Sequence, residues 1–595
     1  MTRYFLFGAT AFLTAAIRVL ASNTGNDDTL VMSQLLTEPY AYDFPPVNTN
    51  GADLFPMRPC KGHQLLEASI DDLQELLSAG KLTSVDLLQC YSERIYQTDS
   101  YLKAVLQLNP DAITIARSLD KERASGTVRG PLHGIPFIVK DNIATKDRME
   151  TTAGSWALLG SVVPRDSFVV HKLRKAGALL LGKAALSEWA DMRSTNYSEG
   201  YSARGGQCRS AYNLTVNPGG SSSGCGVAVG ANLVPFAVGT ETDGSVINPA
   251  QRNAIVGIKP TVGLTSRDGV IPGSLNQDSV GCFAKTVRDA VYVLDAIYGI
   301  DPQDSATFAQ AGKTPKDGYT QFLSNQSALQ GARFGLPWNS FWALGDADQI
   351  TQLTELIHLL EHAGATIINN TELPHYKTIV PPDGWNWDYG STRGYPNESE
   401  YTYVKVDFYN NINAYLAELN NTAIRSLADI VQYNKDNSGS EGGYPSTHPA
   451  FASGQDGFEA SLASQGIMDD SYYQALEFCR RTTREEGIDA ALMLGDTGAN
   501  TDTVLDGLLV PPDVAQSIQI AAQAGYPAIT IPAGTNRDSG MPYGLAILNT
   551  AFSEAALVKW ASAIEDLQRQ TGTQWQRSLP EWRGYLVRNL PVPLY

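Results

Sequence analysis

An α/β fold with a partly parallel sheet is predicted by two features of this 595-residue sequence. Short apolar segments of strand length alternate with segments of helical periodicity, which is the pattern of β–α–β connections. Hydrophobic residues make up 43% of the chain, enough for a sizeable core. Length alone allows one domain or several. Because no internal repeat or coiled-coil heptad interrupts the alternation, a single large domain is favoured.

The first part of the chain supplies the opening helices and strands of this pattern. Ser69 is a predicted helix N-cap, with Asp72 at capping-box spacing ahead of apolar residues. A second helix is predicted near Ser84, where apolar residues recur at helical spacing. Further helices are predicted at 111–123 and 169–176, and apolar runs predict strands at 104–108, 135–139 and 178–181.

The alternation then continues as far as residue 570. A run of small apolar residues predicts a helix at 227–233, and the apolar segment 235–238 predicts a buried strand. Periodicity predicts further helices at 289–298, 346–362, 407–419, 472–488 and 553–570. Apolar runs predict further strands at 255–258, 332–336 and 365–368, and a final α/β unit contains 525–534 and 543–548.

Three segments depart from this pattern. Residues 22–62 are rich in Asn, Pro, Asp and Thr and are predicted to be a poorly structured leader. Residues 376–403 crowd aromatic side chains among Pro and Gly. This insertion either packs on the body of the protein or forms a lid over a cleft. Residues 571–595 are a tail without recognisable chemistry, so the main domain is predicted to span 63–570.

The N-terminus has the pattern of a secretory signal peptide at 1–21. Arg3 precedes a mostly apolar run at 4–17, and small residues up to Ala21 suit cleavage there. The run is too short to span a bilayer comfortably, and no later segment is a better candidate, so no stable membrane anchor is expected. Arg18 interrupts the pattern and leaves a short buried helix as the alternative. We expect a secreted, extracellular protein.

Two further features are consistent with secretion. N-x-S/T sequons, which also arise by chance, offer candidate glycosylation sites at Asn196, Asn213, Asn325, Asn369, Asn397 and Asn420. The six cysteines include no C-x-x-C pair, which argues against zinc and thioredoxin-like chemistry. Some of them are expected to form disulfides if the protein is exported. Cys225, which precedes an apolar run, is expected to be buried instead.

The formal net charge of −18 and the sequence pI of about 4.9 argue against a nucleic-acid partner. Proteins that bind nucleic acid present basic faces to the phosphates. Solubility alone accounts for an acidic balance of this size.

Two Ser/Gly loops frame the stretch 217–250, NPGGSSSGCGVAVGANLVPFAVGTETDGSVINPA. The first loop is GGSSSG at 219–224 and the second is TDGS at 242–245. Hydroxyls combined with glycines suit a site where the backbone approaches a small polar ligand closely. A flexible linker is the alternative, but long apolar segments flank both loops. The stretch is therefore predicted to bind or attack a small polar group.

The motifs GGSSSG and GTETDGS, with GPLHGIPFIVKDN upstream at 130–142, resemble the amidase signature family. In that family a Ser-Ser-Lys triad hydrolyses amides on a single α/β/α domain, a mixed central sheet flanked by helices. Residue by residue, the resemblance assigns the nucleophile to Ser245, the bridging serine to Ser221 and the third member to Lys140. It also implies a cis conformation at the bridging serine. Without the resemblance, a lysine that closes a strand is usually a solvated strand end.

The second motif departs from the commonest family pattern, GTDxGGSIR, chiefly at Glu241, Asp243 and Ile247. These departures, with GYSARGGQ at 200–207 and KPTVGLTSRDGVIP at 259–272, resemble the peptide amidase branch more closely. The resemblance extends over most of the chain, from residue 68 to residue 569.

The resemblance implies that Ser245 Oγ attacks an amide carbonyl and forms an acyl-enzyme. Its proton would pass through Ser221 Oγ to Lys140 and return to the departing amine. This relay requires a neutral lysine, whereas an unperturbed lysine has a pKa of about 10.4. Burial behind the apolar strand is expected to lower the pKa of Lys140, because desolvation disfavours the ammonium form.

The developing oxyanion needs hydrogen-bond donors, which the resemblance assigns to the backbone N–H groups of Thr242, Asp243, Gly244 and Ser245. The Asp243 carboxylate either repels an anionic group or orients a substrate amide or amine. Ser222 is assigned to substrate binding, with a helix-cap hydroxyl as the alternative.

The favoured function is a secreted serine amidase that converts the C-terminal amide of peptides to acid and ammonia. Three alternatives remain: a fatty or aryl amide hydrolase, a glutamine-hydrolysing amidotransferase subunit, and a catalytically silent binding glycoprotein. The signal peptide and sequons argue against the amidotransferase, which works inside cells. His133 is expected to be structural, and the chain has neither H-E-x-x-H nor a G-x-S-x-G elbow at Ser245. We expect no metal or other cofactor, and a small-molecule or short-peptide amide as the substrate.

Overall fold

The computed structural model describes residues 54–380, 395–493, 504–514, 517–572, 577–586 and 592. The strands of this part of the chain are β1 Val105–Leu108, β2 Pro136–Lys140, β3 Leu179–Ala184, β4 Tyr201–Ser202, β5 Gly206–Gln207, β6 Phe236–Glu241, β7 Val256–Lys259, β8 Ser279–Ala284, β9 Arg333–Leu336, β10 Thr366–Asn369, β11 Gly507–Val510, β12 Ala528–Thr535 and β13 Pro542–Leu548.

The α-helices surround these strands and follow the predicted alternation. They are α1 Ile70–Ser78, α2 Ser84–Leu102, α3 Ala112–Ala124, α4 Phe168–Lys175, α5 Ser223–Gly230, α6 Ile247–Gln251, α7 Val287–Ile297, α8 Ala347–His362, α9 Tyr376–Ile379, α10 Glu400–Glu418, α11 Leu427–Asp436, α12 Ser438–Glu441, α13 Asp456–Ser464, α14 Asp470–Thr483, α15 Asp489–Met493, α16 Ser517–Ala524 and α17 Glu554–Thr571.

Eleven of the strands form one mixed sheet in the order β1-β3-β2-β6-β8-β7-β12-β13-β11-β9-β10. The predicted fold, a single mixed sheet flanked by helices, is confirmed. Parallel pairs join β2 to β3 and to β6, whereas β8 runs antiparallel to both of its neighbours. Every residue of β2 and β6 is buried, as expected for parallel strands covered on both faces. The carboxyl ends of β2 and β6 therefore meet at one edge of a rigid core.

Most predicted elements are present with shifts at their ends. The capping box at Ser69 and Asp72 is confirmed, because each side chain accepts from the other residue's backbone N–H. The helix predicted at 227–233 lies further upstream, as α5, and the helix predicted at 472–488 ends at Thr483. A π-helical turn follows α14, where Gly487 adopts a non-helical conformation. Strands β8 and β11 were not predicted.

The helices of 400–483 contribute to a second hydrophobic cluster beside the sheet's main core. Tyr403, Phe408 and Leu416 of α10 pack in this cluster with Trp189 and Phe458. Within the predicted insertion at 376–403, Tyr401 and Tyr403 are buried, which matches the packing interpretation for these two residues. Tyr395 is exposed, and Trp385, Trp387 and Tyr389 lie outside the described residues, so the lid interpretation stays a prediction.

The ends of the domain pack against each other. Phe55, inside the predicted leader, is buried with its ring centroid 4.6 Å from that of Trp582 in the predicted tail. A disulfide joins Cys60 to Cys90 of α2. Residues 54–62 thus have fixed structure because apolar side chains and a disulfide hold them. The predicted signal peptide at 1–21 and the leader up to residue 53 lie outside the described residues.

The four other cysteines are free and buried, including Cys225 as predicted. Across the described ranges, no helix is long and apolar enough to cross a membrane.

Candidate active site

Lys140 is the last residue of β2 and is completely buried. Its Nζ lies 2.7 Å from Ser221 Oγ, 3.0 Å from Thr240 Oγ1 and 3.3 Å from the Thr240 carbonyl oxygen. Thr240 belongs to β6, the parallel neighbour of β2. The sheet register therefore fixes the amine beside the serine, and the lysine is not the solvated strand end that its position alone suggested.

The three residues that the resemblance assigned to catalysis form one continuous hydrogen-bonded chain. Ser221 Oγ lies 2.7 Å from Lys140 Nζ and 2.9 Å from Ser245 Oγ. Both serines are buried, with Ser245 retaining 5% exposure. The Gly220–Ser221 peptide bond is cis, as the resemblance implied. This arrangement can carry a proton between Ser245 and the amine through a single intervening hydroxyl.

Burial lowers the pKa of Lys140 to about 8. The charges of Asp191, Cys225, Glu199 and Asp278 act in the opposite direction but do not cancel the desolvation. A substantial neutral fraction is thus present near neutral pH, which an exposed lysine would not have. The sequence-based expectation of a depressed lysine pKa is confirmed.

The turn after β6 carries the predicted oxyanion donors and the nucleophile. Glu241 Oε2 accepts from the backbone N–H groups of Val246 at 2.7 Å and Ile247 at 3.0 Å, which fixes the start of α6. Gly244 has φ +75°, a conformation that strains any residue with a side chain. The Glu241 departure from the common pattern therefore has a structural role in shaping the turn.

Asp243 presents a carboxylate oxygen, Oδ1, that is buried and has no hydrogen-bond partner among the described residues. Burial raises the pKa of Asp243 well above its usual range, and the nearby charges of Glu400, Glu241 and Asp191 raise it further. The protonated carboxyl is favoured as a result. Such a group can both donate and accept a hydrogen bond beside the nucleophile, so simple repulsion of anions is not required.

Two buried acidic residues near the Ser221 loop, Glu199 and Asp191, were not predicted to belong to the site. Ser187 connects this loop to Glu199, because its N–H donates to the Ser221 carbonyl at 3.0 Å and its hydroxyl contacts Glu199. A Cβ on Gly220 would stand 1.7 Å from Glu199 Oε1, so only glycine fits there. Burial raises the pKa of Glu199 and of Asp191, and the charge of Lys140 lowers both. Neither residue has a sequence signal, because long-range folding alone brings them to the lysine.

Ser222 and His133 have contacts within the scaffold. Ser222 Oγ is buried and donates to the Thr240 carbonyl at 3.0 Å, and it does not cap α5. Its predicted part in substrate binding stays a prediction. His133 is buried with Nε2 3.1 Å from the Leu119 carbonyl oxygen, in agreement with the predicted structural role.

A wall of polar side chains from the loop before β8, from α10 and from α16 borders the turn at 242–245. Gln277, in the loop before β8, donates from Nε2 to the Thr242 carbonyl at 3.2 Å and to Glu400 at 2.7 Å. Tyr403 donates to Gln277 Oε1 at 2.8 Å, and Gln523 donates to Glu400 at 2.9 Å. The second hydrophobic cluster holds α10 in place, so the helical insertion fixes one side of the site.

Among the described residues, no group of three or more His, Cys, Asp or Glu side chains could hold a metal ion.

Comparison with known proteins identifies the family. The family model described as Amidase matches residues 86–435. An amidase homologue of Schizosaccharomyces pombe is 54% identical over 573 residues, covering 96% of each chain. A homologue from Arabidopsis thaliana is 40% identical and covers 84% of this chain and 90% of its own. The crystal structure of peptide amidase from Stenotrophomonas maltophilia superimposes with a TM-score of 0.75 at 38% identity, covering 86% of this chain and 99% of that one.

The fold, the site and these matches define an enzyme that hydrolyses amides and acts on carbon–nitrogen bonds. The chain belongs to the amidase family, the group that carries the amidase signature.

Proposed function

We propose that this amidase removes the C-terminal amide of peptides, giving a free carboxylate and ammonia, with Ser245, Ser221 and Lys140 as its catalytic residues. The observation that carries the catalytic part is the unbroken chain from Lys140 Nζ to Ser221 Oγ and on to Ser245 Oγ, with spacings of 2.7 and 2.9 Å. Similarity to a peptide amidase over nearly the whole length of that enzyme supports the choice of substrate.

In the first half of the reaction, Ser245 Oγ attacks the amide carbonyl carbon and the C=O π bond breaks to give an oxyanion. The hydroxyl proton of Ser245 moves to Ser221 Oγ as the proton of Ser221 moves to neutral Lys140. Backbone N–H groups of the turn 242–245 stabilise the negative oxygen. The proton then returns through Ser221 to the amide nitrogen, the C–N bond breaks, and ammonia leaves the acyl-enzyme.

In the second half, water takes the place of ammonia. The water molecule gives a proton to Ser221, and Ser221 passes its own proton to Lys140. The oxygen of the water attacks the ester carbon. Collapse of this second tetrahedral intermediate breaks the bond to Ser245 Oγ, which recovers its proton by the same path. The products are the free acid and the unchanged enzyme.

The leaving-group side of the site suits ammonia rather than an amino acid. The nitrogen must lie next to Ser221, which supplies its proton, and Ser221 is completely buried. Behind it the loop is packed so tightly that a single methyl group on Gly220 would overlap Glu199. We expect a chain that continues past the scissile nitrogen to collide with this loop, and the acyl part of the substrate to lie along the polar wall beside the turn at 242–245.

A single peptide prepared in three forms tests the substrate. The forms carry a C-terminal amide, a free C-terminal acid, and an extension of several residues beyond the scissile bond. We expect conversion of the amide to the acid with release of ammonia, and no cleavage of the extended form. Side chains at the penultimate residue should change kcat/KM only modestly, because apolar contacts discriminate by about 1–3 kcal/mol per methylene-sized difference.

Long-chain alkyl amides and glutamine serve as comparison substrates in the same assay. Cleavage of the extended peptide contradicts the proposal. So does rapid hydrolysis of an alkyl amide by an enzyme that ignores peptide amides, which would favour the fatty-amide alternative. Glutamine hydrolysis in preference to both would favour the amidotransferase alternative.

We further propose that the enzyme is secreted with its signal peptide removed and with N-linked glycans attached. The Cys60–Cys90 disulfide supports an oxidising compartment. Among the sequons, Asn196, Asn325, Asn369, Asn397 and Asn420 are exposed and accessible to a glycosyltransferase.

Asn213 is the exception among the sequons. It is half-buried, and its Nδ2 donates to the Ser539 carbonyl at 2.8 Å.

We expect the secreted enzyme from a eukaryotic host to begin shortly after Ala21 and to lose mass on glycosidase treatment. Peptide mapping should find glycan on exposed sequons and none on Asn213, whose amide nitrogen is engaged in the folded protein. N-terminal sequencing and mass spectrometry measure both. A cytosolic protein that retains its first residues and carries no glycan is the outcome that contradicts secretion.

A further inference from the structure

Helix α16 carries two glutamines on the side of the site that holds the proposed nucleophile. Gln519 and Gln523 are four residues apart and therefore share one face of the helix. Gln523 is 5% exposed, and its Nε2 donates to Glu400 at 2.9 Å. That bond fixes the orientation of this face relative to the polar wall.

Gln519 lies beside the turn. Its Nε2 lies 3.4 Å from the position that a Cβ on Gly244 would occupy, and Gly244 immediately precedes the nucleophile Ser245. The side chain is half-buried and makes no hydrogen bond to any residue of the described ranges. A polar amide thus stands beside the reacting serine with its hydrogen-bonding capacity unused by the fold.

Apart from the buried Asp243 Oδ1, the polar side chains of the wall beside this turn are paired with one another. Thr242 Oγ1 donates to Asp278 at 2.5 Å, and Gln277 is held between Thr242, Glu400 and Tyr403. Glu400 accepts from Gln277 and Gln523, one at each carboxylate oxygen. These bonds make a rigid frame. Gln519 lies beside the turn at Gly244 and takes no part in this frame.

We propose that Gln519 is a specificity-determining residue that hydrogen-bonds the backbone amide on the acyl side of the substrate. The inference rests on the proposed function and names the part of the substrate that is recognised. A glutamine carboxamide carries both a donor and an acceptor, as a peptide group does, so the two are complementary. In a peptide amide, the nearest such group begins two bonds from the carbonyl carbon that Ser245 attacks. A simple alkyl or aryl amide has no group there, so it would leave Gln519 unpaired.

Two substrates of the same shape at the scissile bond isolate this contact. N-acetyl-L-phenylalanine amide has the backbone amide, and 3-phenylpropanamide lacks it while keeping the aromatic side chain. We expect the wild-type enzyme to prefer the first. Replacing Gln519 with Met, which has similar length and no amide, should lower kcat/KM for the acetylated substrate on the order of 10- to 100-fold, because a hydrogen bond to it is lost. Turnover of 3-phenylpropanamide should change less than about twofold, since that substrate makes no such bond.

A second variant, Gln519→Glu, keeps the length and an acceptor but removes the amide donor, and should show a smaller selective loss. The melting temperature of each variant shows whether the fold is kept. Equal losses on both substrates, or no loss on either, overturn the assignment of Gln519. If the wild-type enzyme itself shows no preference for the acetylated amide, the proposed substrate class fails, and the role of Gln519 fails with it. A preference that survives in Gln519→Met overturns the role of Gln519 alone.

Discussion

Replacing Ser245 with alanine will reduce kcat on the order of 10⁴-fold or more, because it removes the only oxygen placed to attack. The protein should still fold, since Ser245 is a small side chain and its Oγ contributes one hydrogen bond, from Ser221. Ser221→Ala should be similarly severe, because the hydroxyl that lies between Ser245 and Lys140 is lost. The double variant should be little worse than either single one, as for residues that act as a unit. Single-turnover kinetics and a melting curve measure the two properties separately.

The matched control is Ser223→Ala in the same loop. Ser223 is buried at the start of α5, and its hydroxyl has no hydrogen-bond partner in the described part of the chain. Removing it should leave activity within a few-fold of wild type. Near-normal kcat in Ser245→Ala would show that another residue is the nucleophile, and the serines at 221–223 would have to be reconsidered.

The residues of the proposed triad could be named from sequence because the motifs that contain them resemble those of the amidase signature family. Lys140 closes β2, and Ser245 lies in the turn after β6. Parallel pairing of these two strands brings Lys140 beside the turn that carries Ser245. The sheet was predicted from the alternation of short apolar segments with helical ones, although β8 and β11 lacked a distinctive pattern.

The surroundings of the triad could not be predicted in the same way. Glu199, Glu400 and Gln519 reach the site from three segments that are far apart in sequence and carry no local motif. Their positions depend on how the helices of 400–483 pack and on which buried polar side chains hydrogen-bond to each other. Such information is absent from periodicity and spacing. Asp243 is an example. From its position in the sequence, its carboxylate could repel an anionic group, whereas its burial in the structure raises its pKa and favours the protonated form.

The pH dependence of the reaction should follow the ionisation of Lys140. Its pKa is lowered to about 8 by burial, and only the neutral amine can accept the proton of Ser221. Below that pH the ammonium form predominates, so kcat/KM should fall by about tenfold for each further pH unit. Above it, kcat/KM should reach a plateau. Replacing Lys140 with Met keeps much of the volume but removes the base, and should abolish turnover at every pH, on the order of 10⁴-fold.

Lys183 provides the control for this prediction. It lies on the adjacent strand β3, is completely buried, and has a pKa that burial also lowers to about 8. Its Nζ donates to the Ile143 carbonyl at 2.6 Å and to Thr151 at 2.9 Å, not to a catalytic serine. Lys183→Met should therefore keep the acidic limb of the pH profile near 8, whatever it does to the melting temperature. A profile that stays flat from pH 6 to about 9, well across the pKa at which the base would ionise, excludes Lys140 as the base. If the acidic limb of the pH profile moves in Lys183→Met, Lys183 would be the base, and the proposed triad would be contradicted.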